Sequence, residues 1–176
     1  MQIKEKYLTI NPFSRPGKSL VAVKGIVLHW VANPKTSAEA NRNYFENLKV
    51  GKDGRYASAH FIIGIDGEVI QCLLETEVGY HVGANKYTER ALKELSTYPN
   101  NCTLGIELCH KDWEGEFTRE TLQAARELIL ELCERYKLGR QNVYRHYDIT
   151  GKDCPKYFVT HEDQWEQFLN FVFSKS

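Results

Sequence analysis

The segment Arg145-His146-Tyr147-Asp148-Ile149-Thr150-Gly151-Lys152-Asp153-Cys154-Pro155 sets an imidazole and a thiol eight residues apart across a glycine-containing loop. A loop of that length can fold back on itself, which lets both side chains reach one ion. A third ligand from a distant strand would leave the fourth tetrahedral position to water, as a catalytic zinc site requires. His29, in Ile26-Val27-Leu28-His29-Trp30, is the natural third ligand, because α/β sheets collect functional side chains at strand ends and in the loops beside them. Taken singly, each residue has a plainer reading. A lone histidine at a strand end is commonly a hydrogen-bonded structural residue, and a free cysteine is among the most buried residue types. Cys154 as a nucleophile is a third reading. Pro155 weighs against it, since proline lacks the backbone N–H that often steadies an oxyanion beside such a thiol.

The elements that must position these residues show in the apolar pattern. Val21 to Trp30 is β-branched and aliphatic with little polar interruption, which predicts a buried strand stopped by Val31-Ala32-Asn33-Pro34. Thr36 with Glu39 three residues on reads as a capping box, and Ala40, Tyr44, Phe45 and Leu48 continue at helical spacing, so a helix is predicted to about Lys49. Two short apolar runs around Asp66-Gly67 predict a β-hairpin within Ala59 to Leu74. Glu75 to Asn101 reads as a long polar surface excursion with a short helix around Glu89 to Leu95, and Thr103 to Cys109 returns to strand character. After Thr118, the residues Leu122, Ala125, Leu128, Ile129, Leu132 and Tyr136 mark one face of a helix, for which Gly139 supplies the stop. Val143 to Arg145 is a short strand, Ile149 to Pro155 a loop, and Glu162 to Phe173 a last helix; the lead-in to about Leu20 reads as loop. The order predicts an α/β fold with a central mixed β-sheet flanked by α-helices.

Composition narrows the classes. In 176 residues, 42% are hydrophobic and 26% charged, the profile of a globular domain rather than of a disordered or fibrous chain. Twenty-three Lys plus Arg balance 23 Asp plus Glu, so no net field favours nucleic acid or an anionic membrane. No apolar run approaches the roughly 18 to 20 residues that span a bilayer, and no signal-peptide pattern opens the chain. Five irregularly spaced cysteines suit a reducing compartment better than a disulfide framework. With no repeat, linker or low-complexity tract, residues 1–176 read as one domain.

Four separated motifs carry a resemblance. Ile26-Val27-Leu28-His29-Trp30, Ser58-Ala59-His60-Phe61-Ile62-Ile63 with Asp66-Gly67, Gly105-Ile106-Glu107, and His146 through Lys152-x-Cys154-Pro155 resemble, in order, the zinc-dependent N-acetylmuramoyl-L-alanine amidases. These type 2 amidases are similar in fold to the peptidoglycan recognition proteins, and the resemblance runs over about residues 20 to 160. It implies that Zn²⁺ is the cofactor and that His29, His146 and Cys154 are its ligands. Two neutral imidazoles and one thiolate leave such a site with a single formal positive charge, which suits a Lewis acid. The resemblance implies that Glu107 activates the water and passes a proton to the leaving amine, and that Lys152 steadies the oxyanion. Gly105 and Cys109 flank Glu107 with small or apolar neighbours, a setting that raises a carboxyl pKa toward that of a base. The resemblance further places His81, in Gly79-Tyr80-His81-Val82-Gly83, in the muramyl-peptide groove with Asn85 beside it, while His60 reads first as a packed structural histidine and second as a residue lining the site. His110 and His161 have no motif.

Two departures from the family pattern stand out. Some relatives carry a Tyr just before the hairpin His, where this chain has Ala59, so the base role rests on Glu107 alone. Lys86 to Asn101 is longer and more charged than the connection many members have, and is placed to shape or cover the groove. The implied activity is hydrolysis of the amide between N-acetylmuramic acid and L-alanine in bacterial peptidoglycan, by a monomer made in the cytoplasm and released to the wall by a holin or by lysis, as phage endolysins are. The alternatives are a non-catalytic peptidoglycan-binding module, against which Cys154 argues; a cysteine hydrolase; and a structural zinc domain, which needs a fourth protein ligand.

Overall fold

Alternation along two neighbouring strands decides what faces what. The computed structural model describes residues 1–175. In β2 (Gly25–Trp30), Ile26 and Leu28 point into one apolar cluster while Val27 points into another on the opposite side. A strand has period two, so His29 shares the face of Val27. In β5 (Thr103–Leu108), Leu104, Ile106 and Leu108 join the cluster of Ile26 and Leu28, which turns Thr103, Gly105 and Glu107 to the face of His29.

Around this pair the sheet is completed by β1 (Ile3–Glu5), β3 (Phe61–Ile63), β4 (Val69–Gln71) and β6 (Val143–Arg145), in the order β1-β4-β3-β5-β2-β6. Only β3 and β4 run antiparallel, joined by the expected hairpin, where Gly67 takes the left-handed turn conformation (φ +85°). The first face is covered by α3 (Arg119–Tyr136), α5 (Lys156–Thr160) and α6 (Glu162–Phe173), which bury Leu128, Ile129, Phe158, Trp165 and Phe168 against it. The other face carries α1 (Ala38–Asn47), α2 (Glu89–Glu94) and α4 (His146–Thr150), in two smaller clusters. The architecture is the mixed α/β sheet the sequence predicts. No helix among the described residues is long and apolar enough to cross a membrane, and all five cysteines are buried and free.

The local expectations hold with shifts. β2 starts at Gly25, and Val21 is 78% exposed, because the earlier residues have no ladder to join. The lead-in is not all loop: Ile3–Glu5 pairs in parallel with Val69–Gln71 at the sheet edge. The cap of α1 is Ser37, whose hydroxyl accepts from the Ala40 N–H, while the Thr36 hydroxyl donates to the Asn33 carbonyl. α3 begins after its Thr118 cap as expected, but stops at Lys137, which takes the left-handed conformation (φ +57°) two residues before Gly139. The loop expected at Ile149 is instead the end of α4, closed by Gly151 at φ +81°.

Candidate metal centre and cleft

His29 ends β2, and its neighbour Leu28 lies level with Arg145 of the parallel strand β6. The residue after Arg145 therefore emerges beside His29, and it is His146, the first residue of α4. The turn at Gly151 then brings the chain back, and the Tyr147 N–H donates to the Cys154 carbonyl at 2.9 Å. Arg145 clamps the arrangement. Its buried guanidinium donates to Asp148 Oδ1 (2.9 Å), the Phe158 carbonyl (2.9 Å) and Glu162 Oε2 (2.6 Å), tying β6 to α4, α5 and α6.

The result is a convergent donor set. His29 Nδ1 lies 3.1 Å from His146 Nδ1 and 3.8 Å from Cys154 Sγ, and the ligand atoms of all three residues fall within 4.8 Å of one another. Tetrahedral zinc with its usual bond lengths separates N and S ligands by roughly 3.3–3.6 Å, and the two distances from His29 Nδ1 fall within a few tenths of an ångström of that range. The protonation states fit as well. Burial, then the neighbouring His146, His81 and Lys152, holds His29 well below the ordinary imidazole range. Burial and Lys152 lower His146 to about 4. Both rings are therefore neutral at pH 7, the form a ligand needs. Burial pushes the Cys154 thiol far up, with Glu107 adding to the effect, so it ionises only beside a cation that stabilises the thiolate.

These residues stand at one end of a cleft of about 600 Å³ whose lining includes His29, His81, Glu107, His146, Lys152 and Cys154. Glu107 is level with His29 across the β2–β5 ladder and on the same face. Its Oε2 is buried without a hydrogen-bond partner, and only His110 Nε2 shares that condition among the described residues. Burial raises the Glu107 carboxyl to about 8, against the lowering field of Lys152. Lys152 itself is exposed, in the loop between Gly151 and Cys154.

The three expected substrate contacts fare differently. His81 reaches the floor of the cleft, yet it is only 7% exposed and both ring nitrogens have protein partners, His29 Nε2 at 2.9 Å and Thr103 Oγ1 at 3.1 Å. It has no free nitrogen for a substrate. His60 is not a lining residue: it is fully buried behind His81, its Nδ1 accepts from the Gly105 N–H, and its Nε2 donates to the Glu77 carbonyl. Asn85 lies in an adjoining hollow with Lys86, Tyr87 and Leu92 rather than in the cleft. The long segment before β5 does shape the wall, through Tyr98 and Asn100. Sequence reasoning missed Thr103, whose role needs its partner in view, and the aromatic rim of Tyr44, Tyr56 and Tyr80 with Arg55.

Comparison with known proteins bears on this arrangement. The family model Amidase_2, described as N-acetylmuramoyl-L-alanine amidase, matches residues 19–157. The chain is 36% identical over 172 residues to a probable N-acetylmuramoyl-L-alanine amidase of Bacillus licheniformis, covering 98% of this chain and 47% of that protein. It is 33% identical over 173 residues to the N-acetylmuramoyl-L-alanine amidase CwlL of the same species, again 98% and 47%. The chain thus spans about half the length of these curated relatives. A mutant endolysin from Bacillus subtilis superposes with a TM-score of 0.75 at 25% identity, covering 98% of this chain and 99% of that one. PlyL shares the fold at a TM-score of 0.78 and 21% identity, with 100% and 99% covered. With a family model spanning most of its length and relatives aligned almost end to end along it, the chain belongs to the N-acetylmuramoyl-L-alanine amidase family.

Proposed function

We propose that this chain is the catalytic domain of a zinc-dependent, endolysin-like amidase that hydrolyses the bond between N-acetylmuramic acid and L-alanine in peptidoglycan. The observation that carries the reading is the convergence of His29 Nδ1, His146 Nδ1 and Cys154 Sγ in the same cleft as the partnerless carboxylate oxygen of Glu107. Three protein ligands and no fourth within the cluster suit a catalytic rather than a structural site. Zinc held there supplies Lewis-acid polarisation of the scissile carbonyl and activation of the attacking water.

The chain's own groups supply the rest. Glu107 Oε2, with no competing donor, takes the proton of the attacking water and hands it to the leaving amine nitrogen. Burial holds that carboxyl near 8 even against the field of Lys152, so Glu107 takes the water proton in its ionised form, which a cation bound beside it would favour. Lys152, exposed and among the residues lining the cleft, supplies positive charge for the negative charge developing on the carbonyl oxygen. A Cys154 nucleophile is disfavoured because burial keeps its thiol protonated. The aromatic rim and Arg55 offer stacking surface and one cation to a glycan-linked peptide. The reading takes residues 1–176 as one catalytic unit acting at the wall, which the single continuous sheet supports.

The test is the release of L-alanine amino groups from purified peptidoglycan. Release stopped by a chelator and restored by zinc is the expected result. Release indifferent to chelation moves the chemistry to Cys154, and wall binding with no release makes the chain a recognition module.

A further inference from the structure

The ring nitrogens of His81 form part of a chain of hydrogen bonds whose direction can be worked out. Thr103 Oγ1 donates its one proton to the Pro99 carbonyl at 2.8 Å. Toward His81 Nε2, 3.1 Å away, that hydroxyl is therefore an acceptor, and the Thr103 carbonyl, 3.4 Å from the same nitrogen, can only accept. Both neighbours thus require the His81 proton to sit on Nε2. The ring is buried and no carboxylate is among its partners, so nothing compensates a charge on it; it carries the one proton on Nε2 and Nδ1 keeps a lone pair. His29 Nε2, 2.9 Å away, must be the donor to that lone pair. The proton of His29 is then on Nε2, and the lone pair of its Nδ1 is directed to the point where His146 Nδ1 and Cys154 Sγ converge.

A second observation shows that the fold makes room for this contact. A Cβ on Gly105 would lie 2.7 Å from Cγ and Nδ1 of the His81 ring. Only a residue without a side chain lets the His81 ring come this close to β5, the neighbour of the strand that carries His29. The backbone holds the other side of the segment, since Asn100 Oδ1 accepts from the N–H groups of His81 and Val82.

We propose that Thr103 and His81 form a relay that fixes the tautomer and ring orientation of His29, which makes His81 a positioning residue for the metal ligand rather than a substrate contact. The proposal rests on the zinc reading above. Outer partners of ligating histidines are worth about 10- to 100-fold in metal affinity when removed. A relay through a second imidazole differs from the usual carbonyl or carboxylate in one respect: its acceptor is available only while the far nitrogen keeps the proton, which the Thr103 hydroxyl and carbonyl hold there.

The test compares His81→Leu with His81→Asn. Leucine keeps the bulk and removes the acceptor, whereas the Asn side-chain oxygen sits where Nδ1 does and can still accept from His29. Zinc affinity is read by competition with a chromophoric chelator, and the His29 tautomer by ring ¹⁵N–¹H correlation in zinc-free protein. Expected are a single His29 tautomer protonated on Nε2 in the parent chain, an affinity loss of about 10- to 100-fold in the Leu variant with tautomer mixing, and substantial recovery in the Asn variant. Equal affinities for Leu and Asn, or an unchanged His29 tautomer in the Leu variant, overturn the proposal. If the Leu variant does not fold, Thr103→Val reads the same relay: tautomer mixing and weaker zinc binding support it, and parent-like behaviour in both overturns it. A parent chain that takes up no zinc overturns the metal reading and this proposal together, whereas zinc uptake that is blind to these substitutions overturns only the relay.

Discussion

The two faces of the sheet use the same strands for opposite purposes. Toward α3 and α6, the strands present Ile26, Leu28, Phe61, Ile63, Leu104, Ile106 and Leu108, a continuous apolar surface. Toward α1, α2 and α4, the same strands present His29, His60, Thr103 and Glu107, all deeply placed. Burying that many polar groups is tolerated only when each finds a partner. His60, His81 and Thr103 do so completely, and the partnerless Glu107 Oε2 is the exception on that face. The apolar face supplies stability without selectivity, and the polar face supplies chemistry at a cost in stability.

Substitutions on each face should separate these two contributions. The largest effect expected is on activity: Glu107→Gln should lower amidase turnover by about 10²- to 10⁴-fold while keeping or raising the urea midpoint, because it removes an ionisable group that the fold buries without a partner. Near-parent turnover would remove Glu107 from the chemistry. On the apolar face, Leu128→Ala should cost about 2–5 kcal/mol of unfolding free energy, since Leu128 is almost wholly buried between α3 and the sheet. Its zinc affinity should equal that of the parent, and a parallel loss of zinc would show that the faces are not separable.

Acid should act on the polar face alone. Burial lowers His60 from its ordinary value near 6.5 to about 4, so between these pH values the unfolded chain binds a proton that the folded chain refuses. The stability tied to His60 is therefore complete above pH 6.5 and is lost as pH falls toward 4, by about 3 kcal/mol. His29 and His81, also lowered by burial, push in the same direction, whereas Glu107, raised to about 8, pushes the other way because the folded chain binds its proton first. Urea midpoints of chelated Glu107→Gln protein at pH 7 and pH 4.5, which leave the opposing carboxyl out, check this; adding Leu128→Ala should shift both midpoints and leave their difference intact, and a flat pH profile would contradict it. Smallest is Ser37→Ala, which removes the cap of α1 for about 1 kcal/mol and should leave turnover unchanged by initial-rate assay.

What the sequence shows of this molecule follows the range of its interactions. β2, the Asp66-Gly67 hairpin, α3 and α6 are written in local periodicity and turn chemistry, so they read correctly to within a few residues. β1 carries one apolar residue in three and exists by pairing with β4, which no local pattern reveals. α4 is five residues long and is anchored by Arg145, a tertiary clamp, so it reads as loop. The convergence of His29, His146 and Cys154 was legible because strand ends and an eight-residue return are short-range geometry. His60 and Asn85 lie outside the cleft for a reason the sequence does not carry. Motif position says that a residue is near the site, but which neighbour takes its ring nitrogens, or which hollow it lines, depends on packing. Thr103 shows the same limit from the other side: a threonine opening a strand carries no mark of the histidine it will hold.

Arg145 joins the two faces in a further sense. Its guanidinium sits one residue before a metal ligand and bonds to Glu162, in the first turn of the helix that packs the apolar side. The last helix is thereby tethered to the reactive end of the sheet by a single rigid, forked cation. Any drift of that helix pulls on the backbone from which His146 projects, so the geometry of the ligands is gauged against the packing of aromatic side chains on the far side of the sheet.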